Sequence, residues 1–136
     1  SKGEGAYLNG TRLSVSKQES LQQSLIGTGF PYAKVNKGIE HDWVLKTLTN
    51  LLANIRDIRR LGAAAIDLCY LAQGKIDAFY EIDLQAWDVS AGILIVLEAG
   101  GMVTNASGGT FTLDSKSIVV SNGKVHDALL EYIEEI

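Results

Sequence analysis

Apolar positions along the chain fall into short runs and helical spacings, and the longest of these stretches is Trp87 to Thr104. Asp88 opens it. Val89, Ala91, Ile93, Leu94, Ile95, Val96, Leu97 and Ala99 follow, and Gly100-Gly101 ends it. This pattern predicts a helix that is apolar on every side, of the kind found in the middle of a layered domain. Gly100 supplies a left-handed stop, and Met102-Val103-Thr104 reads as the strand that leaves it. An Asp at a helix start accepts hydrogen bonds from the first free N–H groups and sits at the positive end of the helix dipole. Asp88 therefore reads either as an ordinary cap or as a functional carboxylate at the rim of a rigid element.

The rest of the pattern alternates strands and helices. Ala6-Tyr7-Leu8 and Leu13-Ser14-Val15 flank Asn9-Gly10, a hairpin signal. A lone hairpin is marginal in water, so its further sheet partners are expected outside the given sequence. Ser16-Lys17-Gln18-Glu19 fits a capping box and predicts a short helix to about Gln23. Ser24 to Thr28 reads as a strand ended by Gly29-Phe30-Pro31, and Tyr32 to Glu40 as a loop. His41 to Ile55 carries Val44, Leu48, Leu51, Leu52 and Ile55 at helical spacing. Asp57 to Leu61 reads as a strand, Ala63 to Ala72 as a helix closed by Gly74, and Asp77 to Glu81 as a strand. Asn105 to Gly109 is a turn cluster, Ser117 to Ser121 a strand, and Val125, Leu129, Ile133 and Ile136 mark a last amphipathic helix. The alternation predicts an α/β fold, a layered αβα sandwich. Residues 1–23 are expected to form a hairpin and short helix belonging to the sheet of another half, and residues 24–136 a C-terminal α/β domain.

Composition narrows the function classes. The 136 residues suit one domain with a real core. A net charge of -4 speaks against nucleic acid as a partner, since phosphate neutralisation needs clustered Lys and Arg. No apolar run approaches the roughly 20 residues that span a bilayer, and no signal-peptide pattern is present, so no membrane partner is expected. The single cysteine, Cys69, excludes a disulfide framework and a thiolate metal site, and a reduced, cytoplasmic setting is expected.

Several residues are candidates for chemistry, each with a plain alternative. His41 and His126 sit on predicted helices among polar neighbours and read as surface residues. Arg59-Arg60 reads as a phosphate grip or as a solvated pair at a strand end. Neither Gly100-Gly101 nor Gly108-Gly109 has P-loop spacing. The more promising grouping is Gly62-Ala63-Ala64, Glu81, Asp83 and Asp88. Gly62 opens a helix whose free N–H groups bind anions or hydroxyls. Carboxylates converging on one rim would suit Mg2+, a hard ion that shares oxygen ligands with a phosphate. The alternative for Glu81 and Asp83 is that both are solvent-exposed loop acids.

The stretch Trp87-Asp88-Val89-Ser90-Ala91-Gly92, with Glu98-Ala99-Gly100-Gly101 after it, resembles a signature of the inositol monophosphatase family, Trp-Asp-x-Ala-Ala-Gly then Glu-Ala-Gly-Gly. Gly5-Ala6-Tyr7-Leu8-Asn9-Gly10, Arg60-Leu61-Gly62-Ala63-Ala64-Ala65 and Asp77-Ala78-Phe79-Tyr80-Glu81 resemble further family stretches, and Gly27-Thr28-Gly29-Phe30-Pro31 resembles the bacterial members. The resemblance covers essentially the whole chain. It implies the C-terminal half of the inositol monophosphatase and fructose-bisphosphatase-like fold. The implied reaction is Mg2+-dependent hydrolysis of a phosphate monoester on inositol or a related sugar or polyol.

By the same resemblance Asp88 is a metal ligand that also meets the substrate. Glu81 accepts a hydrogen bond from a substrate hydroxyl, and Gly62, Ala63 and Ala64 line the substrate. Ser90 and Ala63 depart mildly from the family pattern, and Asp83 stands where glycine or Asn is common. The family's upstream Gly-Glu-Glu and Asp-Pro-x-Asp-Gly-Thr motifs, which supply most metal ligands and the water-activating groups, do not occur here. No catalytic residue is therefore assigned to this half. Its expected partners are the N-terminal half of the same protein and a second copy in a homodimer, and the chain alone is expected to be inactive. Relatives of the same fold that hydrolyse nucleotide 3′-phosphates, NADP or fructose bisphosphate stay open as alternatives, as does a non-catalytic binding or regulatory module.

Overall fold

The computed structural model describes residues 3–29, 39–84 and 86–135. The expected end of the first main strand at Phe30-Pro31, and most of the loop after it, lie outside those residues. Asn9 adopts φ +51 and Gly10 φ +81, as a tight hairpin turn requires, and they join β1 (Tyr7–Leu8) to β2 (Thr11–Arg12). The main sheet holds β3 (Leu25–Thr28), β4 (Asp57–Arg59), β5 (Ala78–Ile82), β6 (Met102–Thr104) and β7 (Ser117–Ser121), in the order β4-β3-β5-β7-β6. β3 runs parallel to β4 and β5, whereas β7 is antiparallel to β5 and β6. The helices are α1 (Ile39–Leu52), α2 (Ala64–Ala72), α3 (Ala86–Glu98) and α4 (His126–Leu130).

Alternation along the strands assigns the two faces of the sheet. Ala78, Tyr80 and Ile82 of β5 and Val119 of β7 pack with Trp43, Val44 and Leu51 of α1 and Leu129 of α4. Trp43 and Tyr80 meet edge to face, with centroids 5.8 Å apart. Phe79 of β5 and Ile118 and Val120 of β7 pack on the other face with Leu68 and Leu71 of α2 and Val89 and Val96 of α3. The molecule is thus an α/β sandwich of helix, sheet and helix layers, as the alternation of elements predicts.

Four local expectations are corrected. The capping box does not form. Only a 3-10 turn, Leu21–Gln23, appears, and Ser20 makes no side-chain cap. Ser16 is drawn elsewhere, because its Oγ donates to Asp77 Oδ1 at 2.5 Å and accepts from Asn122 Nδ2 at 3.0 Å. The last helix stops at Leu130. Beyond it, Trp43 Nε1 donates to the Glu134 carbonyl at 2.7 Å, Asn50 Nδ2 to the Tyr132 carbonyl at 3.3 Å and the Glu134 N–H to Thr47 Oγ1 at 3.3 Å, so α1 ties down the segment that a longer helix would have included. His126 is not a surface residue but 1% exposed, since hydroxyls of Ser121 (to Nδ1, 2.7 Å) and Thr104 (to Nε2, 2.8 Å) serve both ring nitrogens. Finally, α3 is not enclosed on every side. Val89, Gly92, Val96 and the adjoining Ala99 form the inward stripe, while Trp87 is 77% exposed and Leu94 and Leu97 also face outward. The stop itself is as expected: Gly100 has φ +95, and Gly101 N–H bonds the Val96 carbonyl at 2.9 Å.

α2 and α3 approach closely where Gly92 meets Leu68. A methyl group on Gly92 would lie 2.8 Å from Leu68 Cβ, an atom that cannot move without its helix. Gly92→Ala should therefore destabilise the fold by about 1–3 kcal/mol despite its better helix propensity. A urea unfolding midpoint equal to that of the parent chain would contradict this packing.

Candidate active site

Parallel β3 and β5 deliver their C-terminal ends side by side, and a cavity of about 290 Å³ opens there. Gly29 after β3, Glu81 near the end of β5, the Arg60–Ala65 connection into α2 and Asp88 in the first turn of α3 all contribute to its wall. Gly62, Ala63, Ala64, Glu81 and Asp88, far apart in sequence, are thereby brought to one place. Asp83 does not line the cavity. It is exposed, it follows β5 with φ +63, and its N–H donates to the Lys116 carbonyl at 2.8 Å. That left-handed backbone is one that glycine adopts without cost and Asp tolerates.

The start of α2 is built to leave N–H groups available. Gly62 turns the chain with φ +94, and Ala63 is extended and caps nothing with its side chain. The first intrahelical bonds run from Ile66 and Asp67 N–H to the Ala63 carbonyl, at 3.0 and 3.1 Å. The N–H groups of Ala64 and Ala65 thus precede the helix ladder at the positive end of its dipole, where anions and hydroxyl oxygens bind. Asp88 is exposed at the corresponding end of α3.

Glu81 is not a loop acid. It belongs to β5 and is 9% exposed. Burial, then the neighbouring Asp67 and Asp88, push its pKa up to about 7, against the pull of Arg60. Gly29 makes room for it, since a methyl there would overlap Glu81 Oε1. Asp67 is a wall residue that the sequence reading did not single out. It is 1% exposed, and burial pushes it up to about 7, with Arg60 opposing. A usable signal existed: Asp67 stands four residues before Leu71, on the inward stripe of an otherwise apolar helix. Arg60 joins the cavity wall, whereas Arg59 pairs outside it with Asp57 at 2.6 Å.

Comparison with known proteins supplies the kinship of this arrangement. The profile of the inositol monophosphatase family matches residues 1–136. The chain belongs to the inositol monophosphatase family. It is 40% identical over 134 residues to an inositol-1-monophosphatase of Mesorhizobium japonicum, covering 98% of this chain and 49% of that protein. It is 45% identical over 134 residues to the Nus factor SuhB of Pseudomonas aeruginosa, again covering 98% and 49%. Among solved structures, the extragenic suppressor protein suhB of Bartonella henselae superposes with a TM-score of 0.88 at 39% identity, over 97% of this chain and 50% of that one. The chain therefore spans about half the length of these relatives, and its sandwich is half of the inositol monophosphatase fold. No helix among the described residues is long and apolar enough to cross a membrane.

The raised pKa values have a definite consequence for stability. An acid whose pKa is higher in the folded state than in the unfolded one binds more protons when folded across the interval between the two values. Stability then falls as pH rises through that interval. For Asp67 the interval runs from 3.8 to about 7. Asp67→Asn should gain in stability relative to the parent chain as pH rises through it, and the difference should level off above it. Parallel thermal melts from pH 4 to pH 8 check this; a difference constant with pH would contradict it.

Proposed function

We propose that this chain is the C-terminal half of a Mg2+-dependent phosphatase that hydrolyses inositol monophosphate or a related sugar or polyol phosphate monoester. The observation that carries this reading is the convergence of Asp88, the open start of α2 and Glu81 on one cavity. Asp88 offers exposed hard-oxygen donors of the kind Mg2+ takes. Among the described residues no three His, Cys, Asp or Glu side chains lie close enough to hold a metal ion, so Asp88 is one ligand and the others belong to the remaining half. When bound, Mg2+ polarises the phosphate and activates water for in-line attack. Gly62, Ala63 and Ala64 line the substrate, with the Ala64 N–H at the helix start available to its oxygens. Ionised Glu81 accepts a hydrogen bond from a substrate hydroxyl, and this orients the polyol against the phosphate.

The outward apolar side chains of α2 and α3 fit the same reading. Ile66, Tyr70, Trp87, Leu94 and Leu97 are exposed here and form a face suited to packing against the other half. Residues 1–23 would join the sheet of that half, since β1 and β2 pair only with each other among the described residues. The protein would act in the cytoplasm, as a homodimer. A non-catalytic binding role is the second reading. It is favoured by the Nus factor name of the Pseudomonas relative.

Release of phosphate from inositol 1-phosphate, measured with and without Mg2+, separates the two. The family-length protein that carries this chain should turn over, with turnover abolished by chelation, and the 136-residue chain alone should not. Asp88→Asn in that protein should lower kcat/KM by about a hundredfold or more. Unchanged activity in Asp88→Asn, or full activity without divalent metal, would overturn the phosphatase reading. Fructose bisphosphate, NADP and a nucleotide 3′-phosphate in the same assay rank the alternative substrates.

A further inference from the structure

We propose that Asp67, seated on Gly27, is a positioning residue for Glu81, seated on Gly29, and sets the Glu81 carboxyl for gripping a polyol hydroxyl. This rests on the role given to Glu81 above. Asp67 lines the cavity and is almost wholly buried, yet its Oδ1 has no hydrogen-bond partner among the described residues. A buried carboxyl left in that condition is costly and calls for an explanation. Helix capping does not supply one. Asp67 lies inside the first turn of α2, where its N–H bonds the Ala63 carbonyl, and no side-chain cap is formed.

The seat of Asp67 is specific. A methyl group on Gly27 would lie 2.6 Å from Asp67 Oδ1, with Ile76 Cδ1 and Phe79 Cδ1 at 3.0 and 3.4 Å. That side of the carboxyl is therefore walled by backbone and hydrocarbon. Its polar surroundings lie toward the cavity, where Arg60 acts on both acids and Asp67 acts on Glu81. Two residues along the same face, Gly29 seats Glu81 in the same manner. Alternate residues of a strand share a face about 7 Å apart, so the two seats are neighbours on one side of β3. Neither seat would exist with a side chain at Gly27 or Gly29. The Gly27-Thr28-Gly29 stretch thus has a physical purpose: it sinks two acids into the floor of the cavity and sets one against the other.

The test is a double-mutant cycle in the family-length protein, with inositol 1-phosphate as substrate. Asp67→Asn, nearly the same shape, should raise KM about tenfold, and the rise in KM should exceed any fall in kcat. In a Glu81→Ala background the same substitution should raise KM no further, because the group it positions is gone. Gly27→Ala, which displaces the same carboxyl from the strand side, should reproduce the rise in KM and serves as the second variant if Asp67→Asn does not fold. A normal KM in the folded variant, or an equal rise with and without Glu81, overturns this proposal while leaving the phosphatase reading in place. Absence of Mg2+-dependent turnover in the unsubstituted protein overturns both.

Discussion

The carboxylate of Asp77 holds the far edge of the main sheet together, and the geometry of the cavity depends on it. Its Oδ2 accepts the Leu25 N–H at 2.8 Å and its Oδ1 accepts the Ser16 hydroxyl. Its backbone N–H donates to the Leu25 carbonyl at 2.9 Å, and its own carbonyl accepts the Asn122 N–H at 3.1 Å. One buried acid thus joins the N-terminal segment, the starts of β3 and β5 and the end of β7. Because β3 and β5 are parallel, fixing their starts fixes their finishes. Gly29 lies four residues beyond Leu25, and Glu81 lies four beyond Asp77. The two finish together, and the cavity forms where they do.

The elements legible in the sequence were those whose signal is local. The hairpin turn at Asn9-Gly10, the helical spacing of Val44 and Leu51, and the β-branched run at Ser117–Ser121 all act through backbone preference and stripe. What the sequence hid was decided by partners distant along the chain. Ser16 would cap a helix if Asp77 and Asn122 did not claim it. His126 would stay in solvent if Ser121 and Thr104 did not supply hydroxyls to both its nitrogens. The segment after the last helix is held instead by Trp43, Thr47 and Asn50 of α1. Of the candidate site, Asp88, Gly62-Ala63-Ala64 and Glu81 were singled out through the Trp-Asp, Arg-Leu-Gly-Ala and Asp-Ala-Phe-Tyr-Glu stretches. Asp67 was not singled out: its place on the inward stripe of an apolar helix marks it as unusual, but its role shows only with its seat over Gly27.

The two faces of the sheet are unequal. The α1–α4 side is filled by Trp43, Tyr80, Leu51 and Leu129, and Trp43 Nε1 donates to the Glu134 carbonyl. The α2–α3 side carries Asp67, Glu81 and Asp88 of the cavity wall as well as the exposed Ile66, Tyr70, Trp87, Leu94 and Leu97. Of the residues that would meet a substrate, Ala64 and Asp88 are carried by the same two helices as those exposed apolar side chains, and Glu81 by β5.

The tight crossing at Gly92 and Leu68 bears on how the cavity can move. α2 presents the N–H groups of Ala64 and Ala65, and α3 presents Asp88; with Leu68 lodged against Gly92, the pair behaves as the fixed jaws of a caliper. The gap between those jaws cannot change by sliding one helix along the other. The pair could shift only as a unit against β5, which carries Glu81, about the connecting segments Arg60-Leu61-Gly62 and Asp83-Leu84. Gly62 and Asp83, both with positive φ, are the joints that would set it.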